Sequence, residues 1–144
     1  MAQLRPYLRP NGHGRGTVVL VVVGGELHEL GLRMVSDFLE GAGFRSVFLG
    51  VNTPMASAVN AVNDSAAQVL AISATLGFST DTVANMIRRV RREVRRGPRR
   101  DLKIITGGQA FALDPVLWKR VGADGWAPNA DEAVELVARL VSGA

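Results

Sequence analysis

The chain has 144 residues, no cysteine, a formal net charge of +4, and hydrophobic side chains at 47% of positions. That length suits a single domain with a core of its own, and the lack of cysteine excludes thiol catalysis, thiolate metal sites and disulfide staples while fitting a reducing, cytoplasmic setting. No apolar run approaches the roughly 20 residues that span a bilayer, and the arginine-dotted start does not read as a signal peptide, so a soluble protein without a membrane role is expected.

Residues 1–16 carry two Arg-Pro steps and a glycine-rich end, which predicts a flexible lead before a single domain over 17–144. His13 falls in this lead and reads as a solvated tail residue. The run Thr17–Val23 (TVVLVVV) is β-branched and apolar without alternation, as in a strand buried on both faces of a parallel sheet. It is followed by Gly24-Gly25-Glu26-Leu27-His28-Glu29-Leu30-Gly31, a histidine set among acidic residues. Met34, Val35, Phe38 and Leu39 then recur at helical spacing, and Gly41-Ala42-Gly43 closes that helix.

Phe44–Leu49 gives a second strand. Thr53-Pro54 reads as an N-cap with proline at the first helical position, ahead of a helix burying Met55, Ala58, Val59 and Val62. A third strand over Gln68–Ile72 ends in Ser73-Ala74-Thr75. Ser79 or Thr80 caps the next helix, whose inner stripe is Val83, Ile87, Val90 and Val94, and Gly97-Pro98 stops it. Leu102–Ile105 forms a fourth strand ending in Thr106-Gly107-Gly108. Asp114-Pro115 starts a helix through Leu117 and Val121, a brief strand follows around Asp124–Trp126, and Asn129 with Glu132 opens the last helix in the manner of a capping box. Strict alternation of strand and helix predicts an α/β fold: a flavodoxin-like, doubly wound parallel sheet of five strands, order 2-1-3-4-5, with helices on both faces.

In that order the carboxyl ends of strands one, three and four are neighbours. They bring together Glu26-x-His28, Ser73-x-Thr75 and Gly107-Gly108 at the edge where ligands of open α/β sheets bind. Several chemistries fail against these residues. A phosphate-binding loop would be repelled by Glu26 and Glu29, a phosphoreceiver needs an aspartate where Ser73 stands, and no G-x-S-x-G turn surrounds Ser73 to make it a nucleophile. What remains is an imidazole able to face a metal, a carboxylate to hold its second nitrogen, small hydroxyls, and glycines that admit a close approach.

The segments Glu26-Leu27-His28-Glu29-Leu30-Gly31, Ser73-Ala74-Thr75 and Gly107-Gly108 together resemble the cobalamin-binding module D-x-H-x-x-G … S-x-L … G-G, over about residues 17–142. The resemblance implies that His28 replaces the benzimidazole of cobalamin as lower ligand of cobalt, with Glu26 as its second-nitrogen partner. It further implies that Gly31, Ser73, Thr75, Gly107 and Gly108 bind the cofactor, the last four lining a channel for its displaced nucleotide tail. Thr75 stands where the pattern has leucine, and Glu26 where it has aspartate. The Glu-x-His form, Gly107-Gly108-Gln109-Ala110-Phe111 and the stretch 122–127 are similar to light-sensing gene regulators that bind adenosylcobalamin. A sensor or light-responsive regulator acting through a protein partner is therefore expected, with adenosylcobalamin favoured and methylcobalamin as the other form. The alternative is the corrinoid subunit of a mutase or methyltransferase; either way no catalytic residue is expected in the chain itself.

Two features stand outside that scheme. Eight of the thirteen residues from Arg88 to Arg100 are arginine, a solvated helix face or a surface for nucleic acid or an acidic partner. Trp118 and Trp126 read as core residues rather than cofactor contacts.

Overall fold

The computed structural model describes residues 14–23, 29–51, 53–74, 80–94, 102–114 and 116–142. The chain runs β1 (Thr17–Val23), α1 (Glu29–Gly41), β2 (Arg45–Gly50), α2 (Met55–Ser65), β3 (Val69–Ala74), α3 (Thr80–Val94), β4 (Lys103–Gly107), α4 (Gln109–Leu113), α5 (Leu117–Arg120), β5 (Gly125–Trp126) and α6 (Ala130–Ser142). The five strands form one sheet in the order β2-β1-β3-β4-β5, every pairing parallel. Both the order and the layering are those expected from the alternation of strand and helix.

β1 lies between β2 and β3, which is why its sequence does not alternate: both of its faces need apolar side chains. Val19, Val21 and Val23 join a core with α2, α3, α4 and α5, while Val18, Leu20 and Val22 join a second core with α1 and α6. β1 leaves its register with β2 between Leu20 and Val21, where Leu20 pairs with Phe48 but Val21 with Gly50. Gly50, at φ +82°, supplies the left-handed backbone that the irregularity uses.

Several boundaries differ from expectation for physical reasons. β3 continues through Ser73 and Ala74 because β1 offers Val22 and Val23 as partners, and β4 reaches Gly107 because Ser73 pairs with it. Pro54 itself, not Thr53, takes the N-cap position of α2, its carbonyl accepting from the amides of Ser57 and Ala58 at 3.0 and 3.2 Å. The Thr53 hydroxyl instead donates back to the carbonyls of Leu49 and Gly50 at 3.2 and 3.1 Å, pinning the end of β2. The helix expected from Asp114 through Val121 shrinks to α5, and a further short helix, α4, precedes Asp114 where none was expected. α4 starts directly after Gly108, whose carbonyl accepts from Phe111 and Ala112, and Asp114 ends it in extended conformation with its side chain accepting from the Val116 amide at 3.3 Å.

Arg15 and Gly16, assigned to the lead by the sequence, are bonded to the fold. The Arg15 amide donates to the Gly43 carbonyl, its guanidinium lies 4.6 Å from the Phe44 ring centroid, and Gly16 accepts from the Arg45 amide at 2.8 Å. At the far edge, the Asp124 carboxylate accepts from the Ile104 amide at 2.8 Å and from the Arg91 guanidinium at 3.0 Å. Arg91 also donates to the Gly122 carbonyl at 2.8 Å, so one member of the arginine run fastens α3 to the β4–β5 connection. Arg89 pairs with Glu93 at 2.7 Å, and Arg92 stays exposed. No helix among the described residues is long and apolar enough to cross a membrane.

Candidate functional site

The carboxyl edge of the sheet opens into a cavity of about 430 Å³ on the face covered by α1 and α6. Its position follows from which side chains that face carries. On β3, Ser73 points the same way as Val69 and Ala71, toward the α1–α6 layer, because alternate residues of a strand share a face. α1 contributes Gly31, Leu32, Met34 and Val35; the β5–α6 connection and the first turns of α6 contribute Ala127, Pro128, Asn129, Ala130 and Ala133. The alanines leave the room. Leucine at 130 or 133 would project into the space, so the cavity is a local thinning of the layer rather than a separation of elements.

Ser73 and Gly108 determine the mouth. Gly108 sits at φ +96° and ψ 175°, a conformation essentially restricted to glycine. A β-carbon there would fall 2.4 Å from the Ala74 carbonyl oxygen and 3.0 Å from Ser73 Oγ. The space beside its α-carbon is therefore needed by the backbone of β3 itself, before any ligand is considered. Gly107 is less demanding, since a β-carbon there would meet only the Ala127 carbonyl, at 3.3 Å.

The polar side chains of the lining differ in what they have left to offer. Thr106, 2% exposed, donates its hydroxyl to the Gly125 carbonyl at 3.1 Å, tying β4 to β5. Asn129 caps α6, its carbonyl oxygen accepting from the Glu132 amide at 2.9 Å and its amide nitrogen donating to the Glu132 carboxylate at 3.3 Å. Ser73, only 8% exposed, makes no side-chain hydrogen bond among the described residues. Among the described residues the cavity thus offers apolar walls, alanine relief and one uncommitted hydroxyl, which suits a flat, largely apolar group with few polar atoms.

Of the residues singled out from the sequence, Gly31, Ser73, Gly107 and Gly108 line this one cavity. Glu26, His28 and Thr75 lie outside the described residues. Apart from Gly31, the walls from α1 and the 127–133 segment were not singled out from the sequence; the available signal was the alanine spacing at 127, 130 and 133 ahead of the larger Leu136, Val137 and Leu140. Trp118 and Trp126 are half-buried against the α2–α5 core and do not line the cavity, in keeping with a core role, although Trp126 Nε1 is buried without a hydrogen-bond partner.

Comparison with known proteins bears on what such a cavity serves. The chain is 32% identical over 123 residues to the trimethylamine corrinoid protein of Methanosarcina barkeri, covering 85% of this chain and 54% of that protein. It is 28% identical over 131 residues to the corrinoid protein DSY3155 of Desulfitobacterium hafniense, covering 90% and 58%. Among solved structures, a cobalamin-binding protein from Desulfitobacterium hafniense superposes with a TM-score of 0.76 at 28% identity, covering 88% of this chain and 59% of that one. The monomethylamine corrinoid protein of Methanosarcina barkeri gives 0.74 at 27%, covering 97% and 65%. The chain thus spans little more than half the length of these curated relatives. The B12 binding domain model matches residues 16–135, taking in all three motif segments and the cavity between them, and the chain belongs to the B12-binding domain family.

Proposed function

We propose that this chain is a corrinoid-carrying module that holds the nucleotide tail of its cofactor in the cavity beside Ser73 and serves a methyltransferase acting in trans. The observation that carries the reading is the convergence of Gly31, Ser73, Gly107 and Gly108 on one cavity of about 430 Å³, with His28 three residues before Gly31. The residues present fit the group: apolar walls for a flat base, an unspent hydroxyl, and glycines at the mouth. A bound corrinoid supplies a cobalt centre able to accept and give up a methyl group. In this reading His28 would ligate the cobalt, and Glu26 would accept the hydrogen of the second ring nitrogen, orienting the imidazole and raising its basicity. Methylcobalamin is then the working form.

The relatives favour this over the light-responsive regulator expected from the sequence, since two of those named are corrinoid proteins for methylated amines. They favour methyl transfer over mutase chemistry on the same ground. The Glu26-x-His28 loop and the segment 107–111 support the regulator as the second reading.

The decisive test of the site is electron paramagnetic resonance of the Co(II) form in protein labelled with ¹⁵N-histidine. Histidine nitrogen coupling is expected in the native chain and absent in His28→Ala; unchanged coupling in the variant would overturn the assignment. Function is separated by adding a candidate methyltransferase and its methyl acceptor to protein loaded with methylcobalamin. Transfer of the methyl group supports the carrier. No transfer, with a light-dependent change in partner affinity of about 5- to 150-fold for the adenosylcobalamin form, would move the conclusion to the regulator.

A further inference from the structure

The same cavity carries an inference about which corrinoid the chain accepts, and it rests on the tail-in-cavity reading above. Natural cobamides share the corrin ring and differ in the base at the end of the nucleotide tail. A benzimidazole is apolar around its rim apart from one free ring nitrogen, whereas a purine such as adenine also bears an exocyclic amine and further ring nitrogens. A base that leaves water for this cavity loses the hydration of every such atom.

We propose that the cavity selects cobamides with a benzimidazole base against those with a purine base. Three observations carry this. The side-chain hydrogen-bonding capacity of the lining is largely spent before a ligand arrives: the Thr106 hydroxyl donates to the Gly125 carbonyl, and both ends of the Asn129 amide are engaged with Glu132. Ser73 is the exception, with a hydroxyl that has no partner among the described residues, is more than nine-tenths buried and is directed to the cavity face of β3. The opposing wall is apolar, with Ala130 and Ala133 on α6 facing Leu32 and Val35 on α1. One hydroxyl satisfies the one free ring nitrogen of a benzimidazole, and the alanine relief receives the methyl groups of its outer edge. An adenine in the same place brings several polar atoms to a lining whose described side chains leave one hydroxyl uncommitted, and a buried polar group without a partner is disfavoured.

The test measures affinities of the intact chain for three corrinoids by visible-spectrum titration: cobalamin, the cobamide with adenine in place of dimethylbenzimidazole, and cobinamide, which lacks the nucleotide tail. Each cobamide affinity is corrected for detaching its base from cobalt, read from the pH titration of the free compound. The expected corrected preference for cobalamin over the adenine cobamide is about 10- to 100-fold, or roughly 1.4 to 2.8 kcal/mol at 1.4 kcal/mol per decade. Ser73→Ala removes a hydroxyl without adding bulk; it should weaken cobalamin about 3- to 10-fold and leave cobinamide unchanged. Equal corrected affinities for the two cobamides, both well above cobinamide, would overturn base selection while leaving the tail in the cavity. Cobinamide binding as tightly as either cobamide would overturn the tail-in-cavity reading, and base selection with it.

Discussion

Gly108→Ala is the most exposing single change in this fold, because its consequence follows from backbone geometry alone. The residue sits at φ +96° and ψ 175°, where a non-glycine residue is strained by about 1–3 kcal/mol. The added β-carbon would lie 2.4 Å from the Ala74 carbonyl oxygen and 3.1 Å from the Ala74 amide nitrogen. Neither atom can retreat cheaply, since Ala74 ends a strand paired with Val23 and is only 3% exposed. Overpacking of this kind costs about 1–3 kcal/mol more. The expected loss is therefore about 2–6 kcal/mol, a large share of the roughly 5–15 kcal/mol that holds a domain together. Gly107→Ala is the internal control: its backbone is not left-handed and the nearest atom is 3.3 Å away, so about 1 kcal/mol or less is expected. Urea denaturation of the two variants, compared at matched slope, measures both. A Gly108→Ala midpoint equal to that of Gly107→Ala would refute the reasoning, showing that the β3–β4 edge yields where the pairing says it cannot.

Three further outcomes are expected. Phe111→Ala empties a site that is 1% exposed and anchors the five-residue α4 to the sheet, so about 3–5 kcal/mol should be lost in the same denaturation experiment. Asp124→Ala removes the acceptor of both the Ile104 amide and the Arg91 guanidinium and should lose about 1–3 kcal/mol; Arg91→Ala breaks a pair about one-third exposed and should lose about 1 kcal/mol or less, so the reverse order would contradict the assigned roles. Asn129→Ala strips the cap from α6 and should lower stability by about 1 kcal/mol, with Asn129→Asp close to native; equal losses in the two would show that the side chain does not act as a cap.

The architecture was legible because the signal for it is dense. The uninterrupted apolar run of Val18–Val23 admits few readings other than a central strand, and the alternation with amphipathic helices orders the rest. The short elements were less legible. The split between α4 and α5 depends on Gly108 turning the chain at positive φ and on Asp114 ending the helix that follows, and periodicity over four or five residues carries too little information to reveal either. The cavity was half legible. Ser73, Gly107 and Gly108 stand out because small and polar residues interrupt strand ends, whereas Leu32, Val35, Ala130 and Ala133 resemble ordinary core until their helices are placed side by side. For the arginine run, the sequence left a solvated helix face or a surface for nucleic acid or an acidic partner open. Its described members differ, since Arg91 is spent on internal carbonyls and a carboxylate while Arg92 faces solvent.

The sheet divides the interior into two unequal halves, and most of the apolar lining of the cavity belongs to the α1–α6 half. On the proposed reading, a tail bound in the cavity would give the α1–α6 layer the filling that the α2–α5 layer already has from its own side chains. Amide exchange in α1 and α6 should therefore slow on loading while β1 and β3 change little, since local opening follows local packing. Mass action sets the scale: at 100 times the dissociation constant a ligand that binds only the native chain adds about 2.7 kcal/mol. Degradation that tracks the open population would then fall by about 100-fold. Pulse-chase in cells with and without added corrinoid is expected to show the loaded chain outliving the empty one.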